Sequence, residues 1–354
     1  MKITVIIPAY NAERHLRACL TSVLVQAHRD VECVCVDDGS SDGTRAVMEA
    51  VAATDDRVVV MSQPNAGVSA ARNAGLAAAT GDVVLFVDAD DQLLPGALDV
   101  VARVFEEQDP DCAVFGLVID PPEAAPLTLS HRLAPCDVVY EPFQPDLIFR
   151  EHTHPYAFRV ALSRSFLNER RLTFDPRLTL GEDEAFLMTA YRLSSKTVLS
   201  SARIYSYRMD DQSASHRDNS SDDVLPAKLE KHLMLVSAIL DDWKARGLDD
   251  SCDSRIVVWA LDLLMFDVSR LKPTDQACYL ARLIEIIDGY LDGRMPPLPR
   301  AARRCMTDIR KATDGRARGS VVPKTHLAAF YISSRGIRSV MERAFAALRG
   351  RGAY

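Results

Sequence analysis

The first 120 residues alternate between two hydrophobic periods, and this alternation limits the possible folds more than any other feature. Short apolar runs such as "ITVIIP", "RVVVM" and "DVVLFV" are typical of strands that are buried on both faces. Between them lie segments with helical spacing, such as "ERHLRACLTSVLVQ" and "GVSAARNAGLAAAT". We expect a further helix to begin at Pro95, because proline suits the first helical position. Such alternation predicts an α/β fold with a mostly parallel sheet between helices.

From residue 224 onward the periodicity is purely helical. Three apolar stripes, with steps of three and four residues, lie within residues 229–243, 257–271 and 277–291. Stripes of this kind, separated by Gly, Asp and Pro, predict packed helical hairpins. We therefore expect the chain to divide into an α/β domain at 1–218 and a helical region at 219–354.

Charge is distributed unevenly along the chain. The formal net charge is −7, but residues 294–354 contain fourteen of the 42 Lys and Arg residues and only three acidic ones. Within this basic segment, residues 325–348 have the pattern of an amphipathic helix, which either lies in an anionic membrane interface or caps the helical region. Nucleic acid is not an expected partner, because no basic, aromatic-rich sheet accompanies the charge.

The apolar runs are too short for a membrane span, and the N-terminal run is too short for a secretion signal. We therefore expect a cytoplasmic protein, with the basic tail making a peripheral contact at the inner face of the plasma membrane.

Acidic side chains follow two of the predicted strands. Asp37 and Asp38 end the second strand, and Asp88 and Asp90 end the fourth. Ligands of parallel sheets bind beyond the carboxyl ends of the strands. If the extended geometry persists, residues two apart point the same way, so that Asp88 and Asp90 converge and suit Mg²⁺ or Mn²⁺. The alternative is that these acids form a turn or cap the next helix.

A further acid begins the predicted helix "GEDEAFLMTAYRLS". The apolar stripe of this helix places Asp183 in the first turn, on the side that packs inward. An acid in this position either reaches a cleft or caps the helix.

Five segments in this order and spacing resemble a known family. The segments "VIIPAYN", "VDDGSSDGT", "NAGVSAARNAG", "LFVDADD" and "GEDEAF" are similar to those of inverting family 2 glycosyltransferases with the GT-A fold. The match covers roughly residues 1–215 and includes "YSYRMDDQSAS", an ending common in bacterial polysaccharide-synthesis members. The resemblance implies a nucleotide-binding half at 1–120 and an acceptor half at 121–218.

The resemblance also implies which residues bind the nucleotide. Pro8, Ala9 and Tyr10 would line the pocket for the base, with Tyr10 stacking near it. Asp38, with Asp37 behind it, would accept a hydrogen bond from the uracil imide. The alternatives are that Tyr10 is simply an exposed ring and that Asp37 only caps the glycine-containing loop that follows.

Further roles follow from the same resemblance. Arg72 would approach the diphosphate or the base, and Asp88 would face the ribose or the metal. Asp90 would bind the metal directly, and Asp183 would be the catalytic base.

Two residues near the end of the matched region are additional candidates. His216 could complete the metal shell or have no role. Arg208 could contact the diphosphate or form an ion pair with Asp210 or Asp211.

These expectations describe a metal-dependent inverting glycosyltransferase that uses Mn²⁺ or Mg²⁺. The donor would be a nucleotide-diphosphate sugar, expected to be a UDP-sugar, and the acceptor a hydroxyl of a saccharide or lipid-linked molecule in cell-surface polysaccharide or glycolipid synthesis. The alternatives are a polyprenyl-phosphate glycosyltransferase, which would need no base, and a non-catalytic module that binds nucleotide sugars.

Overall fold

A computed structural model describes residues 1–122, 135–151, 153, 156–209, 224–248, 250–313 and 321–348. The chain forms two compact units, Met1–Arg217 and Asp218–Tyr354, which we call the sheet unit and the helical unit. None of the helices within these described residues is long and apolar enough to cross a membrane.

The sheet unit alternates strands and helices over its first 120 residues, as the hydrophobic periods predict. Its described strands are β1 Ile3–Ala9, β2 Val31–Asp37, β3 Val58–Ser62, β4 Val83–Phe86, β5 Gln92–Leu93, β6 Cys112–Asp120, β7 Val138–Tyr140, β8 Val160–Ser163 and β9 Thr197–Arg208. Its described helices are α1 Glu13–Leu24, α2 Thr44–Ala52, α3 Val68–Ala78, α4 Ala97–Gln108, α5 Asp146–Phe149, α6 Arg164–Glu169 and α7 Glu182–Leu193, with a 3₁₀ helix at Ala157–Arg159.

The strands form one sheet in the order β3-β2-β1-β4-β8-β6-β9-β5, with β7 paired to β9. Strands β1 to β4 are parallel to one another, and β6 is parallel to β9. The antiparallel pairs are β5 with β9, β7 with β9, and β8 with both β4 and β6. The prediction of an α/β fold with a mostly parallel central sheet is confirmed, and the carboxyl ends of β1, β2 and β4 lie at one edge of it.

Helices cover both faces of the parallel strands. Every residue of β1 and β2 is buried, and their sequences are mostly apolar rather than alternating, although β1 contains Thr4 and β2 contains Glu32 and ends at Asp37. The helix α3 lies so close to β1 that a Cβ atom at Gly75 would clash with the side chain of Ile6. One predicted boundary is wrong: α4 begins at Ala97 rather than Pro95, because Gly96 has a left-handed φ of 78°.

The helical unit contains α8 Leu225–Ala245, α9 Asp253–Val268, α10 Pro273–Leu291, α11 Arg300–Thr313 and α12 Lys324–Leu348, with a 3₁₀ helix at Asp250–Cys252. The predicted stripes form its core: Leu229 and Trp243 of α8, Leu261 of α9 and Ile287 of α10 are fully buried. The prediction of packed helices after residue 224 is confirmed.

The first half of α12 is part of this helical core. Phe330 is buried, and the guanidinium of Arg335 lies 2.6 Å from a carboxylate oxygen of Asp262 in α9. His326 Nδ1 lies 2.6 Å from Asp308 of α11. Gly336 then interrupts the helix with φ 79° and ψ 155°. Residues 324–336 therefore cap the helical unit, which was one of the two alternatives for this segment.

Candidate active site

The acidic residues after β4 form a turn rather than the end of an extended strand. The strand ends at Phe86, and the backbone N–H of Asp91 donates to the carbonyl of Asp88 at 3.0 Å. The extended geometry on which the predicted convergence of Asp88 and Asp90 depended therefore does not persist beyond Phe86. We call Asp88–Asp91 the acidic turn.

Strand β9 holds the acidic turn in place. The Tyr205 hydroxyl donates to Asp91 Oδ2 at 2.7 Å and accepts from the backbone N–H of Asp88 at 3.1 Å. The backbone N–H of Arg208 donates to Asp91 Oδ1 at 2.7 Å, and its Nε donates to the carbonyl of Asp90 at 3.1 Å. Burial, together with the neighbouring charge of Asp88, raises the pKa of Asp91 to about 8. Asp91 is thus a structural member of the turn.

Asp183 is fixed in the first turn of α7, on the other side of the site. The preceding Gly181 has a left-handed φ of 75°, which allows the chain to enter the helix abruptly. Asp183 Oδ1 accepts from Arg72 Nη1 at 2.6 Å, and Oδ2 accepts from the backbone N–H of Ala157 at 2.8 Å. Each carboxylate oxygen can accept more than one hydrogen bond, so both retain capacity for a proton.

Arg72 of α3 lies between the acidic turn and α7. Its Nη2 donates to Asp88 Oδ1 at 3.0 Å, while its Nη1 donates to Asp183 and lies 3.3 Å from Glu182 Oε1. The guanidinium lies 5.2 Å from the ring centroid of Phe174. Only 3% of its side chain is exposed, and its hydrogen bonds go to carboxylates of the protein itself.

The electrostatics of this cluster follow from burial and like charge. Burial raises the pKa of Asp88 and Glu182, and the negative charge of Asp183 raises both further. Burial alone would lower the pKa of the Arg72 guanidinium, but the facing carboxylates outweigh it and raise that pKa. Arg72 is thus permanently charged and partly neutralises the three carboxylates.

The carboxyl ends of β1 and β2 bring the predicted nucleotide residues together. Ala9 pairs with Asp37 across the two strands, and the N–H of Asp38 donates to the Ala9 carbonyl at 2.9 Å. Pro8 and Ala9 are buried within β1, whereas Tyr10 directly after it is 54% exposed. An exposed ring beside a strand end could stack on a base, which stays a prediction.

Both acids at the end of β2, Asp37 and Asp38, also have structural partners. Asp37 Oδ1 accepts from the backbone N–H of Ser40 at 3.0 Å, which is the loop-capping role given above as its alternative. Asp38 accepts from the backbone N–H groups of Ala66 and Gly67, each at 2.9 Å. Asp38 therefore shapes the loop that leads into α3, and its predicted contact with uracil remains a prediction.

Some candidates lie outside the described residues. His216, Asp210 and Asp211 belong to residues 210–223, which the structure does not describe, so their predicted roles stay predictions. The structural roles of Tyr205 and Ala157 were missed by the sequence reasoning. Within "YSYR" the sequence indicated a role for Arg208 but none for Tyr205, and no sequence signal marks Ala157.

The acidic turn fits a hard divalent cation by the chemistry of its donors. Within the described part of the chain, both carboxylate oxygens of Asp90 and Oδ2 of Asp88 accept no hydrogen bond. The same part of the chain holds no group of three or more His, Cys, Asp or Glu side chains arranged as a metal cage. Magnesium sites commonly use one or two carboxylates and complete the shell with water and substrate phosphates. Asp90 and Asp88 would be the protein ligands.

A mostly parallel sheet of this order between helices is a GT-A-like fold, and the family and relatives below show that the chain is a glycosyltransferase. The family model described as "Glycosyl transferase family 2" matches residues 4–191, more than half of the chain. The chain belongs to this family.

Two similar curated proteins are bacterial glycosyltransferases. The chain is 33% identical to glycosyltransferase GlyA of Streptococcus pneumoniae over 215 residues, which are 59% of this chain and 30% of that protein. It is 27% identical to a poly(ribitol-phosphate) beta-glucosyltransferase of Bacillus spizizenii over 276 residues, 77% of this chain and 41% of the relative. The chain thus spans less than half of the length of these two relatives.

A solved structure shows the same fold over most of the chain. The crystal structure of S. aureus TarS 1-349 in complex with UDP-GlcNAc superposes with a TM-score of 0.69 at 20% sequence identity. The superposition covers 89% of this chain and 89% of that one.

Proposed function

We propose that this enzyme transfers a sugar from a UDP-sugar to a hydroxyl group of a saccharide or lipid-linked acceptor, with inversion at the anomeric carbon. The acceptor would belong to the synthesis of a cell-surface polysaccharide or glycolipid. Two similar proteins support this choice, because one is a poly(ribitol-phosphate) beta-glucosyltransferase and the TarS structure holds UDP-GlcNAc.

One observation carries the proposal. The acidic turn at the end of β4 and the carboxylate at the start of α7 lie on two sides of a single guanidinium, at 3.0 Å for Asp88 and 2.6 Å for Asp183. A leaving diphosphate and an attacking hydroxyl need groups of these two kinds on opposite sides of one sugar. This spacing supports the proposed pairing of a donor-side acid, Asp88, with a candidate base, Asp183.

The chemistry assigned to the chain is a single displacement. The acceptor hydroxyl oxygen forms a bond to the anomeric carbon while the bond from that carbon to the diphosphate oxygen breaks. The hydroxyl proton passes to a carboxylate oxygen of Asp183, which Arg72 and the Ala157 N–H hold in one orientation. General-base assistance of this kind contributes roughly 10²–10⁴ in rate.

Divalent cations are a general requirement of family 2 glycosyltransferases. We propose Mn²⁺ or Mg²⁺ held by Asp90 and Asp88. When bound, the cation would neutralise charge on the departing diphosphate. His216 is proposed as a further ligand. On the nucleotide side we assign Pro8, Ala9 and Tyr10 to the base, with Asp37 and Asp38 shaping the adjoining loops.

A screen of nucleotide sugars tests the proposal directly. We expect hydrolysis or transfer from at least one UDP-sugar in the presence of Mn²⁺ and at least tenfold less with chelator, because the diphosphate would then leave without charge neutralisation. Release of UDP is the measurement, and GDP-, CMP- and dTDP-sugars are the comparison. Binding of none of these nucleotides, with or without metal, would contradict the proposed function.

We also propose a cytoplasmic enzyme whose tail contacts the inner face of the plasma membrane. Because residues 324–336 pack on the helical unit, the contact is assigned to residues 337–354, which contain Arg338, Arg343 and Arg349. The full chain should co-sediment with vesicles of 30% phosphatidylglycerol in phosphatidylcholine, and a chain ending at Gly336 should stay in the supernatant. Equal sedimentation of the two would contradict this assignment.

A further inference from the structure

We infer that Arg72 is a positioning residue for Asp183, rather than a ligand of the donor diphosphate. This inference rests on the proposed function, because it assigns a role within that same reaction. Its basis is the set of acceptors that the guanidinium contacts and the way in which the surrounding residues fix its position.

All the described hydrogen bonds of the Arg72 guanidinium go to carboxylates. Nη1 serves Asp183 and Glu182, and Nη2 serves Asp88. The Nε atom is buried and has no acceptor among the residues described. With 3% of its side chain exposed, Arg72 has little surface to offer a diphosphate in this arrangement.

The surroundings hold the guanidinium in this position. Next to it in α3, Asn73 donates from Nδ2 to the Phe174 carbonyl and accepts from the Phe174 N–H, both at 2.8 Å. The Phe174 ring stacks on Phe186 of α7 at 4.1 Å and meets Phe86 of β4 edge-on at 5.3 Å. The aromatic cluster therefore joins α3, β4 and α7 around Arg72. Because Arg72 contacts both Asp88 and Asp183, the position of the acidic turn fixes the orientation of the Asp183 carboxylate.

Geometry favours arginine over any other residue here. A guanidinium is planar and presents several donors in fixed directions, which lets one side chain bind Asp88 and Asp183 at once. A lysine ammonium keeps the charge but cannot reach both partners along these two directions. Losing the contact should leave Asp183 able to rotate away from the attacking hydroxyl, whereas residues at the nucleotide base are unaffected.

The test compares Arg72→Lys with Arg57→Lys, a matched control. Arg57 binds the Asp55 carboxylate at 2.7 Å and the Leu24 carbonyl at 3.0 Å, just before β3 at the opposite edge of the sheet. We expect Arg72→Lys to lower kcat about 10- to 100-fold, with the Kd for UDP measured by calorimetry changing less than threefold. Arg57→Lys should leave both quantities unchanged.

A double-mutant cycle with Asp183→Asn separates positioning from independent effects. If Arg72 acts through Asp183, adding Arg72→Lys to Asp183→Asn should change the residual single-turnover rate less than threefold. If the two substitutions instead lower the single-turnover rate of the double variant by the product of their separate effects, the inference is overturned. So would a tenfold or greater loss of UDP affinity in Arg72→Lys, a readout that needs no acceptor and no turnover.

A second variant, Phe174→Leu, tests the inference independently if Arg72→Lys does not fold. Phe174→Leu removes the ring beside the guanidinium and keeps every charge, so we expect a lower kcat with unchanged UDP affinity in a chain that still unfolds cooperatively. Unchanged kcat in this variant overturns the inference while wild-type transfer leaves the proposed function standing. A wild type that transfers no sugar from any donor overturns both.

Discussion

Asp183→Asn should lose nearly all sugar transfer while it still binds the donor. The amide cannot take the proton of the acceptor hydroxyl, so the rate should fall by about 10²–10⁴. The fold should persist, because the amide oxygen can still accept from Arg72 Nη1, which lies 2.6 Å from Asp183 Oδ1, and only the hydrogen bond from the Ala157 N–H is lost. Single-turnover rates with labelled donor measure the loss, and calorimetry with UDP measures binding.

The neighbouring Glu184 provides the control for this experiment. Glu184→Gln removes one negative charge from the same first turn of α7, so it reproduces the electrostatic change without removing the assigned base. We expect its transfer rate to stay within threefold of the wild type. Equal losses in the two variants would mean that charge at the helix start, rather than proton transfer to Asp183, explains the effect.

Hydrophobic periodicity was sufficient to predict the parallel part of the sheet. Strands β1, β2 and β4 are buried on both faces, so they are mostly apolar, with Glu32 the one charged residue inside β2, and the intervening helices have one apolar stripe. The antiparallel β8 lies between β4 and β6, although nearly 80 residues separate β4 from β8 in the chain. Such pairing depends on tertiary packing, which periodicity does not contain.

The arrangement of the candidate active site also depends on tertiary contacts that the sequence does not reveal. The acids after the strands could be selected because like charges at a strand end are unusual, and Asp183 because of the apolar stripe of its helix, whereas Arg72 was indicated by the family resemblance alone. Their arrangement could not be predicted: Tyr205 fixes the acidic turn from 117 residues away, and Arg72 meets Asp183 across 111 residues. Reasoning from strand geometry gave the wrong backbone for Asp88 to Asp90, because the hydrogen bonds that form the turn come from β9 and from within the turn.

Asp90→Ala should weaken UDP binding in the presence of Mn²⁺ by about 10- to 100-fold, or about 1.4–2.7 kcal/mol. Asp90 is the residue of the acidic turn whose carboxylate makes no hydrogen bond or ion pair within the described residues, so its removal should cost the fold little. Asp91 differs, because it binds Tyr205 and the Arg208 N–H. Calorimetry with UDP, with Mn²⁺ and with chelator, is the measurement.

The dependence on metal distinguishes ligation from simple repulsion. If Asp90 binds the cation, chelator should weaken UDP binding to the wild type and have almost no further effect on Asp90→Ala. If Asp90 only repels the diphosphate, its removal should instead strengthen binding, since a like charge has been taken away. Asp99→Asn, at an exposed position in the first turn of α4, is the control for loss of one carboxylate and should match the wild type. Equal UDP affinity of the wild type with and without Mn²⁺ would remove the cation from the proposed mechanism.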